Sequence, residues 1–165
     1  MADEIRAVVI TVSDRCSKGE QEDQSGPLLV GLLKEMGAKV LASEILSDDL
    51  EPLVKTLRAS ARRPDVNLVM TTGGTGFGPR DNTPEATRAV VTREAPGLSE
   101  AMRLETLKET PLAMLSRGLS GICSGALIIN LPGSPAGVRQ SFEVIKPVLP
   151  HAIALLAGKP HEQVS

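Results

Sequence analysis

Two aspartates and a glycine-rich run are the parts of this chain best suited to chemistry. Asp48 and Asp81 are distant in sequence, yet each follows a stretch that reads as a strand. Two carboxylates with open positions beside them suit Mg²⁺, a hard cation that takes one or two carboxylates plus substrate phosphates. The run Gly73-Gly74-Thr75-Gly76 continues into Phe77-Gly78-Pro79. Glycines at this density cannot extend a regular element, and they let backbone N–H groups close around an anion such as phosphate. The run is neither a P-loop, since no Lys-Ser or Lys-Thr follows, nor G-x-G-x-x-G, which breaks at Pro79. Taken singly, Asp48 reads as a helix N-cap, Asp81 as an Asx turn before Thr83, and the glycines as a tight turn. In combination they point to a phosphate and metal site.

Such a site needs elements that bring these residues to one edge. Ile5 to Val12 is a nearly continuous Val/Ile-rich run, the pattern of a strand buried on both faces, and it ends at Ser13-Asp14. A polar loop from Arg15 to Gln24 leads to a helix opened by Ser25-Gly26-Pro27 and striped by Leu28, Leu29, Leu32, Leu33 and Met36. Val40 to Leu46 reads as a second strand, followed by a helix with Leu50, Leu53, Val54 and Leu57 on its inner face. Val66 to Thr72 is a third strand, running into the glycines. Thr83-Pro84-Glu85 reads as an N-cap, a proline and a helix to Thr92, and Leu98 to Lys108 as another helix. Leu119 to Ile122 and Ala126 to Leu131 are short strands, and Ala136 to Gly158 is helical with breaks at Pro147 and Pro150. A loose tail is expected after Lys159.

This alternation predicts an α/β fold: a single domain over residues 1–165, core about 5–157, with a mostly parallel sheet and helices on both faces. In an open sheet of that kind the ligand sits beyond the carboxyl ends of the strands. Ser13-Asp14, Asp48-Asp49, the glycine run with Arg80-Asp81, and Asn130 to Pro135 then share one edge.

Composition narrows the function further. Eighteen Lys and Arg against twenty Asp and Glu give a net charge of −2, which argues against a duplex-binding surface. With no Trp or Tyr, and Phe only at positions 77 and 142, the chain lacks a stacking platform for single strands, so nucleic acid is not an expected partner. Cys16 and Cys123 form no C-x-x-C, and with His151 and His161 they match no zinc spacing; they read as small hydrophobes in a reducing compartment. Met1 to Arg6 does not resemble a signal peptide and no run is long enough to span a membrane, so a cytoplasmic location is expected.

The motifs, in order, are Ser13-Asp14-Arg15, Glu22-Asp23-Gln24-Ser25-Gly26-Pro27, Thr71-Thr72-Gly73-Gly74-Thr75-Gly76, Arg80 to Thr87, Leu115-Ser116-Arg117, and Asn130-Leu131-Pro132-Gly133-Ser134-Pro135. This set resembles the MogA/MoaB family of molybdenum cofactor biosynthesis, over roughly residues 5 to 157. The resemblance implies adenylyl transfer from ATP to molybdopterin with Mg²⁺, on a homotrimer, with other molybdenum cofactor biosynthesis proteins as further partners. It implies that Asp48 and Asp81 are catalytic and metal-binding. It places nucleotide and phosphate contacts at Asp23, Ser25, Gly26, Gly73, Gly74, Thr75, Gly76, Asn130, Leu131, Pro132, Gly133, Ser134 and Pro135, and molybdopterin contacts at Ser116 and Arg117. Asn82, Ser47 and Cys123 depart from the family pattern, which usually has valine, proline and a basic residue there. The alternatives are a MoaB-like molybdopterin-binding protein without transferase activity, or a non-catalytic phosphate-binding scaffold. Positioning and electrostatics, with Arg80 and Arg117 as available cations, would carry the reaction, since no Ser-His or Cys-His pairing is in view.

Overall fold

The computed structural model describes residues 3–160. Its strands are β1 (Arg6–Val12), β2 (Lys39–Leu46), β3 (Leu68–Thr72), β4 (Arg93–Glu94), β5 (Ser120–Cys123) and β6 (Ala126–Leu131). Its helices are α1 (Asp14–Ser17), α2 (Ser25–Glu35), α3 (Leu50–Arg62), α4 (Thr83–Val90), α5 (Pro96–Leu107), α6 (Pro135–Ile145) and α7 (Leu149–Leu156). The strands form one sheet in the order β2-β1-β3-β6-β5-β4. β1 pairs in parallel with β2 and β3, and β3 with β6, while β5 runs antiparallel to β6 and β4 antiparallel to β5. The protein is an α/β domain with a mostly parallel sheet.

Side chains of successive strand residues point to opposite faces, so a strand covered on both sides must be apolar throughout. Ala7 and Val9, Leu68 and Met70, and Leu127, Ile129 and Leu131 form one buried cluster with Leu29 and Leu33 of α2 and with Val138, Phe142 and Ile145 of α6. The residues between them, Val8, Ile10, Val12, Val69 and Ile128, pack on the other face against Leu53 and Leu57 of α3 and Ala86 and Val90 of α4. Among the described residues β2 has β1 as its only strand neighbour and is half-buried to exposed along its length, which is why its sequence carries Lys39, Ser43 and Glu44.

Several local expectations change in detail. The segment after β1 is not all loop: Ser13 accepts the Cys16 N–H at 3.2 Å and starts the short α1. Asn82, not Thr83, stands at the N-cap of α4 and makes no side-chain capping bond, its amide being turned to the Asp48 carbonyl, while the Thr83 hydroxyl is drawn inward to the Gly73 carbonyl at 2.9 Å. β4 and a 3₁₀ turn at Pro111–Leu115 are additional elements. The C-terminal helical region divides: α6 ends at Ile145, a 3₁₀ turn over Lys146–Val148 carries Pro147, and Pro150 falls in the first turn of α7, where its missing N–H breaks no helical bond. Residues 161–165, with His161 and most of the expected tail, lie outside the described residues.

Candidate active site

Because β1, β2, β3 and β6 are parallel, their carboxyl ends open on the same edge. β1 is flanked by β2 on one side and β3 on the other, so chain connections leave it in opposite directions and part the helices there. A cavity of about 280 Å³ sits at this point, lined by Ser13 and Cys16 after β1, Asp48 after β2, and Gly73, Gly74 and Asp81 after β3. Both candidate carboxylates therefore face one space. A second cavity of about 630 Å³ adjoins it, sharing Gly74, Asp81 and Gly133 and extending over α5 and α6.

Asp48 is 8 % exposed. Its Oδ2 accepts the Asp14 N–H at 2.9 Å, and its own N–H donates to Asp14 Oδ1 at 3.0 Å, so the ends of β1 and β2 hold each other through a reciprocal pair. Its other oxygen, Oδ1, is buried and has no hydrogen-bond partner among the described residues. Asp48 is thus not an N-cap; α3 is preceded by Asp49 and neither aspartate caps it through a side chain. Burial pushes the Asp48 carboxyl above the usual carboxylate range, helped by the negative charges of Asp14 and Asp81 and opposed by the Asp14 N–H. Asp14 behaves in the opposite way. The Arg80 guanidinium grips it through two bonds of 3.0 and 2.9 Å, and together with the Asp48 N–H holds its carboxyl down at about 2. Arg80 also donates to Asp49 at 2.9 Å, which lowers that carboxyl as well. Arg80 thereby ties the end of the glycine-rich loop to the ends of β1 and β2.

Gly73 and Gly74 have φ of 98° and 68°, the left-handed region that glycine enters without penalty. A side chain at Gly74 would also meet the Thr83 hydroxyl and Asp48 Oδ1. Gly73 donates its N–H to the Leu131 carbonyl. The next four amides, those of Gly74, Thr75, Gly76 and Phe77, donate to no acceptor among the described residues, and bonding resumes at Gly78, whose N–H reaches Asp81 Oδ2 at 2.9 Å. Asp81 is thus folded over its own loop, not engaged in an Asx turn before Thr83. Consecutive unbonded amides in a glycine-rich turn are the features of an anion nest.

The segment after β6 plays several roles. The Asn130 side chain is buried and committed to the protein: it accepts from the Leu119 N–H and donates to Thr71 and Thr87. Leu131 belongs to the core, with its carbonyl taken by Gly73. Pro132 offers its carbonyl to Thr72, and Gly133 offers its carbonyl to Ser25 at 2.6 Å. Ser134 caps α6 by accepting from Gly137, with Pro135 in the first turn. The amides of Gly133 and Ser134 find no acceptor among the described residues and extend the donor set. Asp23 accepts from Thr11 at 2.7 Å and from the Gly26 N–H at 2.9 Å, and a Cβ at Gly26 would collide with Asp23 and Thr11.

Ser116 lines the larger cavity, whereas Arg117 turns its guanidinium to the glycine-rich loop. The far wall of that cavity, including Met102, Arg103 and Thr106 of α5, was missed by sequence reasoning, because α5 reads as an ordinary amphipathic helix. Arg103 pins the 116–118 turn by donating to the Gly118 carbonyl at 2.7 Å. Of the departures from the family pattern, Asn82 donates to the Asp48 carbonyl at 2.9 Å and Ser47 donates to Asp49, so both brace the site. Cys123 is buried with the α3 and α4 cluster and lines neither cavity. Among the described residues, no group of three or more His, Cys, Asp or Glu is placed to hold a metal, and no helix is long and apolar enough to cross a membrane.

Fold and site define a class: a doubly wound α/β domain that presents a backbone anion nest beside two carboxylates at its switch point. Comparison with known proteins makes the assignment specific. Residues 8–151 match the family described as a probable molybdopterin binding domain, and the chain belongs to that family. A molybdopterin adenylyltransferase of Helicobacter pylori strain J99 is 41 % identical over 152 residues, covering 91 % of this chain and 86 % of that one. The molybdenum cofactor synthesis protein cinnamon of Drosophila melanogaster is 44 % identical over 163 residues, but this chain spans only 27 % of its length. Among solved structures, the molybdopterin biosynthesis enzyme MoaB of Thermus thermophilus superposes with a TM-score of 0.88 at 47 % identity, covering 94 % of this chain and 98 % of that one.

Proposed function

We propose that this protein is a molybdopterin adenylyltransferase. An oxygen of the terminal phosphate of molybdopterin attacks the α-phosphorus of ATP, the bond from that phosphorus to the bridging oxygen of the β-phosphate breaks, and pyrophosphate leaves with the electron pair. The observation that carries this reading is the row of four amides, Gly74 to Phe77, and beside them the buried Oδ1 of Asp48, all without a hydrogen-bond partner among the described residues.

The reaction brings two anions together, so its main requirement is charge compensation at fixed positions. The amides of the glycine-rich loop, with those of Gly133 and Ser134, would hold phosphate oxygens without the desolvation cost of a flexible cation. Asp48 and Asp81 fit Mg²⁺, because among the described residues Oδ1 of Asp48 is buried without a donor and no larger cluster of ligating side chains surrounds the pair, leaving positions for phosphate and water. A bound Mg²⁺ would supply positive charge to non-bridging phosphate oxygens. Asp14 and Arg80 keep Asp48 in place, and Asp23 and Ser25 line the smaller cavity, with Gly26 behind them donating its N–H to Asp23. The larger cavity, with Ser116 on its wall, has room for the pterin. The same reading carries a homotrimer, a cytoplasmic setting and functional contact with other cofactor-synthesis proteins, the last supported by relatives in which this domain is part of a longer chain.

Pyrophosphate release with ATP, molybdopterin and Mg²⁺ tests the proposal. Release that requires all three, and that drops on the order of a hundredfold or more in Asp48→Ala and Asp81→Ala while both remain folded, is the expected result. Wild-type turnover in either variant would remove that residue from the mechanism.

A further inference from the structure

We infer that Arg117 is a positioning residue, which turns the carbonyls of the glycine-rich loop to one side so that its amides face the other. Its Nε donates to the Gly76 carbonyl at 2.7 Å, its Nη2 to the Asp81 carbonyl at 2.8 Å, and its Nη1 to both oxygens of Glu85, at 2.6 and 3.1 Å. Its backbone N–H donates to the Thr75 carbonyl at 2.8 Å. Three carbonyls of one loop thus converge on a single residue. In a planar trans peptide the N–H points opposite to the C=O of the same unit. Carbonyls of Thr75 and Gly76 held against Arg117 therefore direct the N–H groups of Gly76 and Phe77 away from it, and these are among the amides that lack an acceptor in the described residues.

Glu85 lies in the first turn of α4, and that helix anchors the beginning of the loop as well. The Thr83 hydroxyl donates to the Gly73 carbonyl at 2.9 Å and the Thr83 N–H to the Gly74 carbonyl at 3.1 Å. With Arg117 fastened to Glu85, both ends of the segment from Gly73 to Asp81 are fixed to one rigid helix. The rigid planar fork of arginine suits acceptors spread in three directions, which a lysine ammonium on a flexible stem cannot serve together. Arg117 also lines neither cavity, although its neighbour Ser116 faces the larger one.

The catalytic consequence rests on the adenylyl-transfer reading; the structural consequence does not. Backbone order parameters by NMR for Gly74, Gly76 and Phe77 of the ligand-free protein measure the latter directly. In Arg117→Ala they should fall from the rigid range near about 0.85 to below about 0.6, with the sheet unchanged. Arg117→Lys should restore them in part, and Glu85→Gln, which keeps the Arg117 bonds to the Gly76 and Asp81 carbonyls, should fall between Lys and wild type; these two carry the test if the alanine variant does not fold. Calorimetric titration with ATP should show at least about a tenfold loss of affinity in Arg117→Ala, a difference of about 1.4 kcal/mol. Unchanged order parameters and ATP affinity, with weakened molybdopterin binding alone, would overturn the inference and make Arg117 a direct contact to the pterin. Failure of the wild type to release pyrophosphate would refute adenylyl transfer while leaving the order-parameter result to decide the role of Arg117.

Discussion

Replacing Asp48 with asparagine should make the metal-free protein more stable and the enzyme nearly inactive. The carboxylate is buried, with Oδ1 unpartnered, and its ionised form is disfavoured mainly by loss of hydration. Leaving a buried acceptor unpaired costs about 1–3 kcal/mol, and more when it is charged, while the charge-assisted bond from the Asp14 N–H offsets about 1.5–3 kcal/mol. Asparagine keeps the shape and an oxygen for the Asp14 N–H and sets its amide NH2 where Oδ1 stood, so the gain comes only from removing a buried charge and is expected on the order of 1 kcal/mol. For a domain of this length that raises Tm by about 2–4 °C. The sign with pH follows from the raised carboxyl: the wild type suffers no penalty in acid, where Asp48 is protonated in both folded and unfolded chains. It loses stability as pH rises through the raised value, so the advantage of the variant should be absent in acid and complete at neutral pH. Transfer should fall on the order of a hundredfold, about 2.7 kcal/mol of transition-state stabilisation. Thermal melts across pH in a chelator, paired with turnover, measure both. A variant that is less stable than wild type at neutral pH, or that turns over normally, would refute the reasoning.

Asp14→Asn should weaken the protein in the opposite pH sense. The folded carboxyl lies at about 2, below its unfolded value, so its contribution is present above the unfolded value and is lost as pH falls toward 2. After allowance for solvent screening the effect is about 1 kcal/mol at neutral pH, and urea titrations at pH 7 and near pH 2 should show it shrinking. Gly26→Ala forces a methyl group into Asp23 and Thr11, and should cost about 1–3 kcal/mol by denaturant titration and weaken ATP binding by calorimetry. Sedimentation at micromolar concentration should give a species of three times 17.4 kDa; a stable 17.4 kDa species would contradict the trimer.

Much of this was legible in the sequence because burial on both faces of a sheet leaves a strong mark. The apolar runs of β1, β3 and β6 stand out, and their parallel alignment with β2 places Asp48, the glycine run and the Asn130–Pro135 segment at one edge. Side-chain partners were less visible, because they depend on contacts between residues remote in sequence. Nothing local distinguishes Asp48, which shares a reciprocal pair with Asp14, from an N-cap, and nothing local directs Thr83 inward to Gly73 instead of to a helix end. The Asn130 side chain is committed to Thr71 of β3, Thr87 of α4 and Leu119 just before β5, three partners that only the folded chain brings together. The far wall of the larger cavity stayed hidden because it is made by the inner face of α5, whose pattern is that of a helix covering a core.

The central claim is a transfer of the adenylyl group, and ATP labelled at the α-phosphorus follows that group directly. Incubation with molybdopterin and Mg²⁺ should move the label into a pterin product in a one-to-one ratio with pyrophosphate, and Asp48→Asn should slow the transfer on the order of a hundredfold while retaining a folded protein. Molybdopterin that binds with ordinary affinity, while the label stays in ATP, would contradict the account and make the protein a binder of the cofactor precursor without transferase activity.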